Sequence, residues 1–211
     1  MIYFWNWFAK ITGWLGQLLC FRTKIYYEDR RVQGRHIRGP AIIISNHITV
    51  IDYVVYLFVF FTRTVRFQMA EVLFEKRLLG LFLKMMGGIY VNRDTRDFGF
   101  LTESEEILRR GGVVGIFPES RLPKPGEERP LEFKVSAAYL ALTTGVKIIP
   151  AVTNGSYFQK ARARVLIGKP IYAADLAPEG LSEKETLRVV SERLRQHIIE
   201  LEKLRNAQEK R

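Results

Sequence analysis

One cysteine, Cys20, and three histidines are all that this 211-residue chain offers to soft metals or to sulfur chemistry. A lone cysteine excludes an internal disulfide and so few histidines leave no zinc cluster to assemble, so a reducing compartment and no metal are expected. No apolar run approaches the ~20 residues needed to cross a bilayer. The run from Tyr53 to Phe61 is a short core helix by its length. No basic residue precedes the apolar start and no small-x-small cleavage site follows it, so a signal peptide is not expected. Internal repeats and low-complexity linkers are also missing. Acid is the scarce sign of charge: 22 Asp and Glu stand against 33 Lys and Arg, a net charge of +11 with a pI near 9.9. That excess implies an anionic partner, which by charge alone is a nucleic acid, an acidic protein, a phosphorylated substrate or an anionic membrane leaflet.

What is present suits one globular domain with a substantial core, at 47% hydrophobic and 26% charged residues. Its most informative stretch is Ser45-Asn46-His47-Ile48-Thr49-Val50-Ile51-Asp52. An imidazole whose Nδ1 proton is held by a carboxylate keeps Nε2 free to take a proton from a hydroxyl at neutral pH, so His47 and Asp52 read as a base and its orienter. On a continuous helix five residues turn the side chains about 140° apart, so the two meet only across a bend. The preceding Ala41-Ile42-Ile43-Ile44 has the unbroken, branched apolar character of a buried strand, and Val50 onward reads as a helix. His47 therefore belongs at a strand-to-helix turn, where open α/β sheets bind ligands. The chemistry suggested is acyl transfer onto an alcohol. By itself the pair also fits a capping aspartate beside a structural histidine.

At the N-terminus Phe4, Trp7, Phe8, Ile11, Trp14, Leu15 and Leu18 recur at helical spacing, with Asn6, Lys10, Gly13 and Gln17 opposite them. The two-sided pattern favours lying in a bilayer surface over crossing it, with Arg22 and Lys24 placed to meet lipid phosphates. A second amphipathic helix is expected between Ala70 and Met86, carrying Lys76, Arg77 and Lys84. Glycines 87 and 88 then stop the helix, and Ile89-Tyr90-Val91 leads as a strand to Arg93, whose planar guanidinium suits a phosphate. Val113 to Ile116 repeats the plan, a buried strand followed by a turn with Glu119 and Arg121, which either bind substrate or pair locally. Lys134 opens a small-residue helix that runs to Gly145. Ser182 and Glu185 form a capping box for a long C-terminal amphipathic helix, with a frayed tail expected over 206–211. His36 and His197, outside any motif, read as structural or surface histidines.

Taken together these motifs resemble, in order and over nearly the whole chain, those of the glycerolipid acyltransferases that act on 1-acyl-sn-glycerol-3-phosphate. Asn46, His47 and Asp52 match the His-x4-Asp motif, and Gly87 or Gly88 through Arg93 the second block. Phe117, Pro118, Glu119 and Arg121 match the third, and Ile149-Pro150-Ala151 the fourth, with Phe133-Lys134 before the small-residue helix. The third motif departs from the family's Phe-Pro-Glu-Gly-Thr-Arg: here it reads Phe-Pro-Glu-Ser-Arg, one residue shorter, so the local turn must differ. The resemblance implies that His47 deprotonates the glycerol hydroxyl, that Asp52 supports it, and that Asn46, Arg93, Glu119, Arg121 and Lys134 hold the phosphoglycerol. It implies direct transfer from a fatty acyl-CoA or acyl carrier protein thioester to lysophosphatidic acid, with no cofactor and no acyl-enzyme at Cys20. Backbone amides near Ile149-Pro150 are candidates for the oxyanion.

The expected architecture is a single α/β domain with a central mixed, mostly buried sheet flanked by helices (25–211), preceded by an N-terminal membrane-docking helix (1–24). The expected setting is the cytoplasmic face of the cell membrane, as a peripheral, monomeric enzyme with no nucleic-acid partner. Acylation of another lysolipid, such as a lyso-aminolipid, is the alternative within the class. A noncatalytic basic module that binds anionic membranes or nucleic acid is the alternative outside it.

Overall fold

The computed structural model of the chain describes residues 1–92, 98–158 and 162–209. Seven strands form one sheet in the order β1-β7-β6-β2-β5-β3-β4: β1 (Lys24–Tyr27), β2 (Ala41–Ser45), β3 (Val65–Ala70), β4 (Ile89–Val91), β5 (Val113–Ile116), β6 (Lys147–Thr153) and β7 (Arg164–Ile167). Every pairing is parallel except β6 with β7, so the sheet is mixed. β2 lies between β6 and β5, and its five residues are all buried. Ala41 and Ile43 enter the apolar cluster on one face while Ile42 and Ile44 enter the cluster on the other. A strand buried on both faces needs apolar residues at every position, which is why the sequence shows a run there and no alternation.

The helices are α1 (Ile2–Thr12), α2 (Trp14–Cys20), α3 (Asp52–Val59), α4 (Glu71–Glu75), α5 (Arg77–Met86), α6 (Gly99–Arg109), α7 (Ser136–Thr144) and α8 (Glu183–Glu209). Two single helices expected from the sequence are each divided. The N-terminal one breaks at Gly13, where an added Cβ would come within 3.0 Å of the Phe58 ring on α3. The 70–86 segment begins as the end of β3 and breaks at Lys76, whose backbone is extended at ψ 110°. The C-terminal helix starts at the expected box, with Ser182 Oγ on the Glu185 carboxylate at 2.5 Å. Over 206–209 it does not fray: it continues to Glu209, because Arg205 is buried against the sheet and Glu209 pairs with Arg164, while the rest of the expected tail, 210–211, lies outside the described residues.

The N-terminal pair sits on the domain with its polar side inward. Asn6, Lys10 and Gln17 are buried, and the Lys10 ammonium donates to the carbonyls of Phe61 at 3.1 Å and Arg63 at 2.6 Å. Burial lowers the Lys10 pKa to about 8. The apolar side is left outward: Phe4, Ile11 and Leu15 are each roughly two-thirds exposed, at 65%, 64% and 67%. Leu78, Leu81 and Phe82 of α5, which packs against α1, are exposed too. No helix among the described residues is long and apolar enough to cross a membrane.

Candidate active site

β2 ends at Ser45, the chain turns through residues 46–51, and Asp52 starts α3. The turn exists because one carboxylate organises it. Asp52 is fully buried; its Oδ2 accepts from the amides of Ile48 at 2.7 Å and Thr49 at 2.9 Å, and from His47 Nδ1 at 3.0 Å. Its Oδ1 accepts from Thr49 Oγ1 at 3.2 Å and from the Tyr157 hydroxyl at 2.8 Å. Oδ2 already accepts from two backbone amides, so in its contact with His47 the ring nitrogen donates and the His47 proton sits on Nδ1. Nε2 is then the lone-pair nitrogen. The ring stacks on Phe117 at 4.3 Å and 16°, and Phe117 stacks in turn on Phe67 at 5.3 Å. Both aromatic faces behind the imidazole are therefore fixed before any ligand arrives.

His47 opens on a cleft of about 1050 Å³. Asn92, Ser120, Arg121, Glu132 and Lys134 bring polar groups to it, and Val50, Tyr53, Leu73, Phe98, Phe133 and Leu187 contribute apolar wall. The volume and the mixed lining suit an amphiphile with one polar end and one apolar end. Cys20 lines a separate apolar groove of about 520 Å³ beneath α1 and α2, not this cleft.

The residues expected to hold a headgroup divide into two sets. Arg121 and Lys134 line the cleft and are exposed. Arg121 is engaged by a bidentate pair with Glu127, at 2.7 and 2.8 Å, and that guanidinium holds the Glu127 carboxyl at about 2. Ser120, between Glu119 and Arg121, has φ 58°, a left-handed backbone inside the shortened Phe-Pro-Glu-Ser-Arg motif. Asn46 and Glu119 do not line the cleft: they are buried, at 2% and 3% exposure, and face backbone. Glu119 accepts from the His47 amide and from the Leu131 amide, each at 2.8 Å, and burial raises its pKa. Asn46 exchanges two hydrogen bonds with Thr153, at 2.9 and 3.0 Å, and donates to Glu202 of α8 at 2.6 Å. Buried amides and carbonyls at a chain turn need partners, and these two side chains supply them. Arg93 lies outside the described residues.

The expected oxyanion amides near Ile149-Pro150 are not in the cleft either. That block is the middle of β6, fully buried and paired with β2 and β7. Four contributors carry no signal in the sequence: Tyr157, Thr153, Glu202 and Arg205, the last donating to the Thr153 carbonyl. Tyr157 meets the 46–52 turn at Asp52, Thr153 and Glu202 meet it at Asn46, and Arg205 acts through Thr153; all come from far along the chain, so no local spacing marks them.

Residues 24–154 match the acyltransferase family model, and the chain belongs to that family. Among curated proteins it is 30% identical over 143 residues to the 1-acyl-sn-glycerol-3-phosphate acyltransferase of Bacillus subtilis, covering 65% of this chain and 69% of that protein. It is 28% identical over 146 residues to the human 1-acyl-sn-glycerol-3-phosphate acyltransferase beta, with 68% of this chain and 51% of that one covered. The Borreliella burgdorferi 1-acyl-sn-glycerol-3-phosphate acyltransferase is 30% identical over 118 residues, 54% and 45% of the two chains. The crystal structure of the 1-acyl-sn-glycerophosphate acyltransferase PlsC from Thermotoga maritima shares the fold, with a TM-score of 0.62 over 95% of this chain and 79% of that one at 22% identity.

Proposed function

We propose that this protein transfers a fatty acyl group from a thioester to the free sn-2 hydroxyl of 1-acyl-sn-glycerol-3-phosphate, giving phosphatidic acid. The observation that carries this reading is the His47–Asp52 pair at 3.0 Å, set in a cleft that joins cationic side chains to apolar wall. The acceptor hydroxyl gives its proton to His47 Nε2 as its oxygen attacks the thioester carbonyl. Asp52 stabilises the imidazolium. When the tetrahedral intermediate collapses, the C–S bond breaks and the leaving thiolate takes the proton back. No acyl-enzyme forms.

Arg121 and Lys134 hold the acceptor phosphate, and Arg93 is assigned the same task from the family motif. Asn46 and Glu119 act one step back, by fixing the backbone that presents His47. Neither a cofactor nor a metal is required; acyl-CoA or acyl carrier protein is the co-substrate. Residues 1–24 dock the enzyme, as a monomer, on the cytoplasmic face of the cell membrane. The outward apolar face of α1 and α2 supports that placement, because roughly two-thirds exposure of several large apolar side chains is costly in water and favourable in a headgroup layer.

A zwitterionic lysolipid, such as a lyso-aminolipid, is the second reading. It is favoured by Glu127, whose grip on the cleft-lining Arg121 sets an acidic group beside that cation. The test is acyl transfer by the purified protein in mixed micelles, with acyl-CoA and acyl carrier protein donors, on lysophosphatidate and on an aminolipid acceptor. Higher kcat/KM on lysophosphatidate is the expected result. Preference for the aminolipid favours the second reading, and no transfer from either donor overturns both.

A further inference from the structure

The geometry points to Tyr157 as a positioning residue for the Asp52–His47 pair, completing it from outside the stretch that matches the family. This inference rests on the acyl-transfer reading. Asp52 has two oxygens. One serves His47 and two amides of its own turn, while the other would have only the Thr49 hydroxyl at 3.2 Å without the Tyr157 hydroxyl at 2.8 Å. Tyr157 reaches it from the loop after β6, across 105 positions of sequence, and the matched region ends at 154.

The direction of that hydrogen bond is set by chemistry. Burial, and then the neighbouring Asp52 charge, raise the Tyr157 pKa, so the phenol keeps its proton and donates it to the carboxylate. Its single hydrogen is thereby spent. Thr153 Oγ1, 2.8 Å from the phenol oxygen, must therefore donate to it, while accepting from the Gly155 amide at 3.2 Å. The result is a directed chain from Gly155 N–H through Thr153 and Tyr157 to Asp52, in which each bond polarises the next. The Tyr157 side chain is 6% exposed, and its ring lies edge-on to Phe21 at 5.6 Å, so the donor cannot swing away.

Two consequences follow for the base. The carboxylate is held in the plane that aims Oδ2 at Nδ1, and part of its negative charge is drawn off through Oδ1. Both act on the rate of proton removal and neither touches substrate. Of the other charged or titratable groups around the turn, His47 touches Asp52, Tyr56 of α3 acts on Asp52 and Tyr157, and Arg205 of α8 acts on Tyr157, while Glu119 beyond β5 and Glu202 of α8 stand one contact further off. Tyr56 is turned to Ser45 at 2.5 Å, Glu119 to two amides, and Glu202 to Asn46, so only Tyr157 puts a side-chain donor from outside the turn on Asp52 among the described residues.

The experiment is the pH dependence of kcat/KM for Tyr157→Phe and, as a variant that keeps the ring, Thr153→Val. Losing a donor to a buried charge is expected to lower kcat about 10-fold in Tyr157→Phe and less in Thr153→Val, with KM for the acceptor unchanged. The carboxylate then bears more charge toward the imidazole, so the acid limb of the profile moves to higher pH by about half a unit. Lower activity with an unmoved limb, tracking a lower melting temperature, means a purely structural role and overturns the inference. So does a Tyr157→Phe profile that superposes on wild type. If wild type itself transfers no acyl group, the failure belongs to the acyl-transfer reading and not to Tyr157.

Discussion

Asn46→Ala removes the side chain that ties the His47–Asp52 turn to both β6 and α8, and its cost can be worked from the bonds lost. The Thr153 amide loses its acceptor at 2.9 Å, and the Glu202 carboxylate loses a donor at 2.6 Å. The Thr153 carbonyl loses one of two donors, since Arg205 remains. A buried unpaired amide costs about 1–3 kcal/mol and a hydrogen bond to a charged group about 1.5–3 kcal/mol, so the variant should lose about 4 kcal/mol of stability. For a chain of this length that is about 8–16 °C in melting temperature. Because His47 is the next residue, kcat should fall about 10- to 100-fold through misplacement of the base. A double-mutant cycle with Glu202→Ala isolates the bridge to α8, where a coupling of about 1–2 kcal/mol is expected. Thermal melts of the four proteins read this directly. A melting temperature within about 2 °C of wild type, or zero coupling to Glu202, refutes the view that this bridge holds the turn.

Other perturbations reach the same site or the proposed membrane face. Gly115→Ala places a Cβ 2.4 Å from the Phe67 ring, and Phe67 backs Phe117, which backs His47. It should cost about 1–3 kcal/mol in a melt and reduce kcat, with Phe67→Leu restoring part of both. Lys10 gives a pH signature. Its folded value is about 8 against 10.5 unfolded, so between these the unfolded chain binds more protons and stability rises with pH. Relative to Lys10→Met, wild type should gain up to about 3 kcal/mol from pH 8 to 10.5 in denaturant titrations, and a flat difference contradicts the burial of this ammonium. Ile11→Asp with Leu15→Asp changes two exposed side chains, so melting should be unaffected while cosedimentation with anionic vesicles drops at least about 10-fold.

The elements legible in the sequence were those whose residues answer to local rules. β2 announced itself as a branched apolar run because both its faces are covered, and α8 because a capping box precedes a regular apolar spacing. The bend between His47 and Asp52 was legible because helical geometry forbids their meeting otherwise. β3 was not read although its buried Val65, Phe67 and Met69 alternate, as a strand's should, with half-buried Arg66 and Gln68, which are hydrogen-bonded to Gly87 and Ser104. In the site, side-chain type suggested ligands where the fold needed braces. Asn46 and Glu119 carry groups suited to a substrate, but buried backbone amides claim both: those of His47 and Leu131 claim Glu119, and that of Thr153 at the end of β6 claims Asn46. Glu202 meets Asn46 across 156 positions, a separation over which no spacing argument operates. The N-terminal amphipathic pattern told which residues share a face, and only the fold shows that the polar one is turned to the protein.

His47→Gln keeps nearly the same shape and removes the base, and so tests whether His47 takes the acceptor proton. Wild type and variant are compared in steady-state transfer from a saturating thioester to lysophosphatidate, with vesicle cosedimentation measured alongside. In the variant kcat should be lower by about 100- to 10,000-fold with docking unchanged. A variant that docks and transfers acyl groups at the wild-type rate would contradict it.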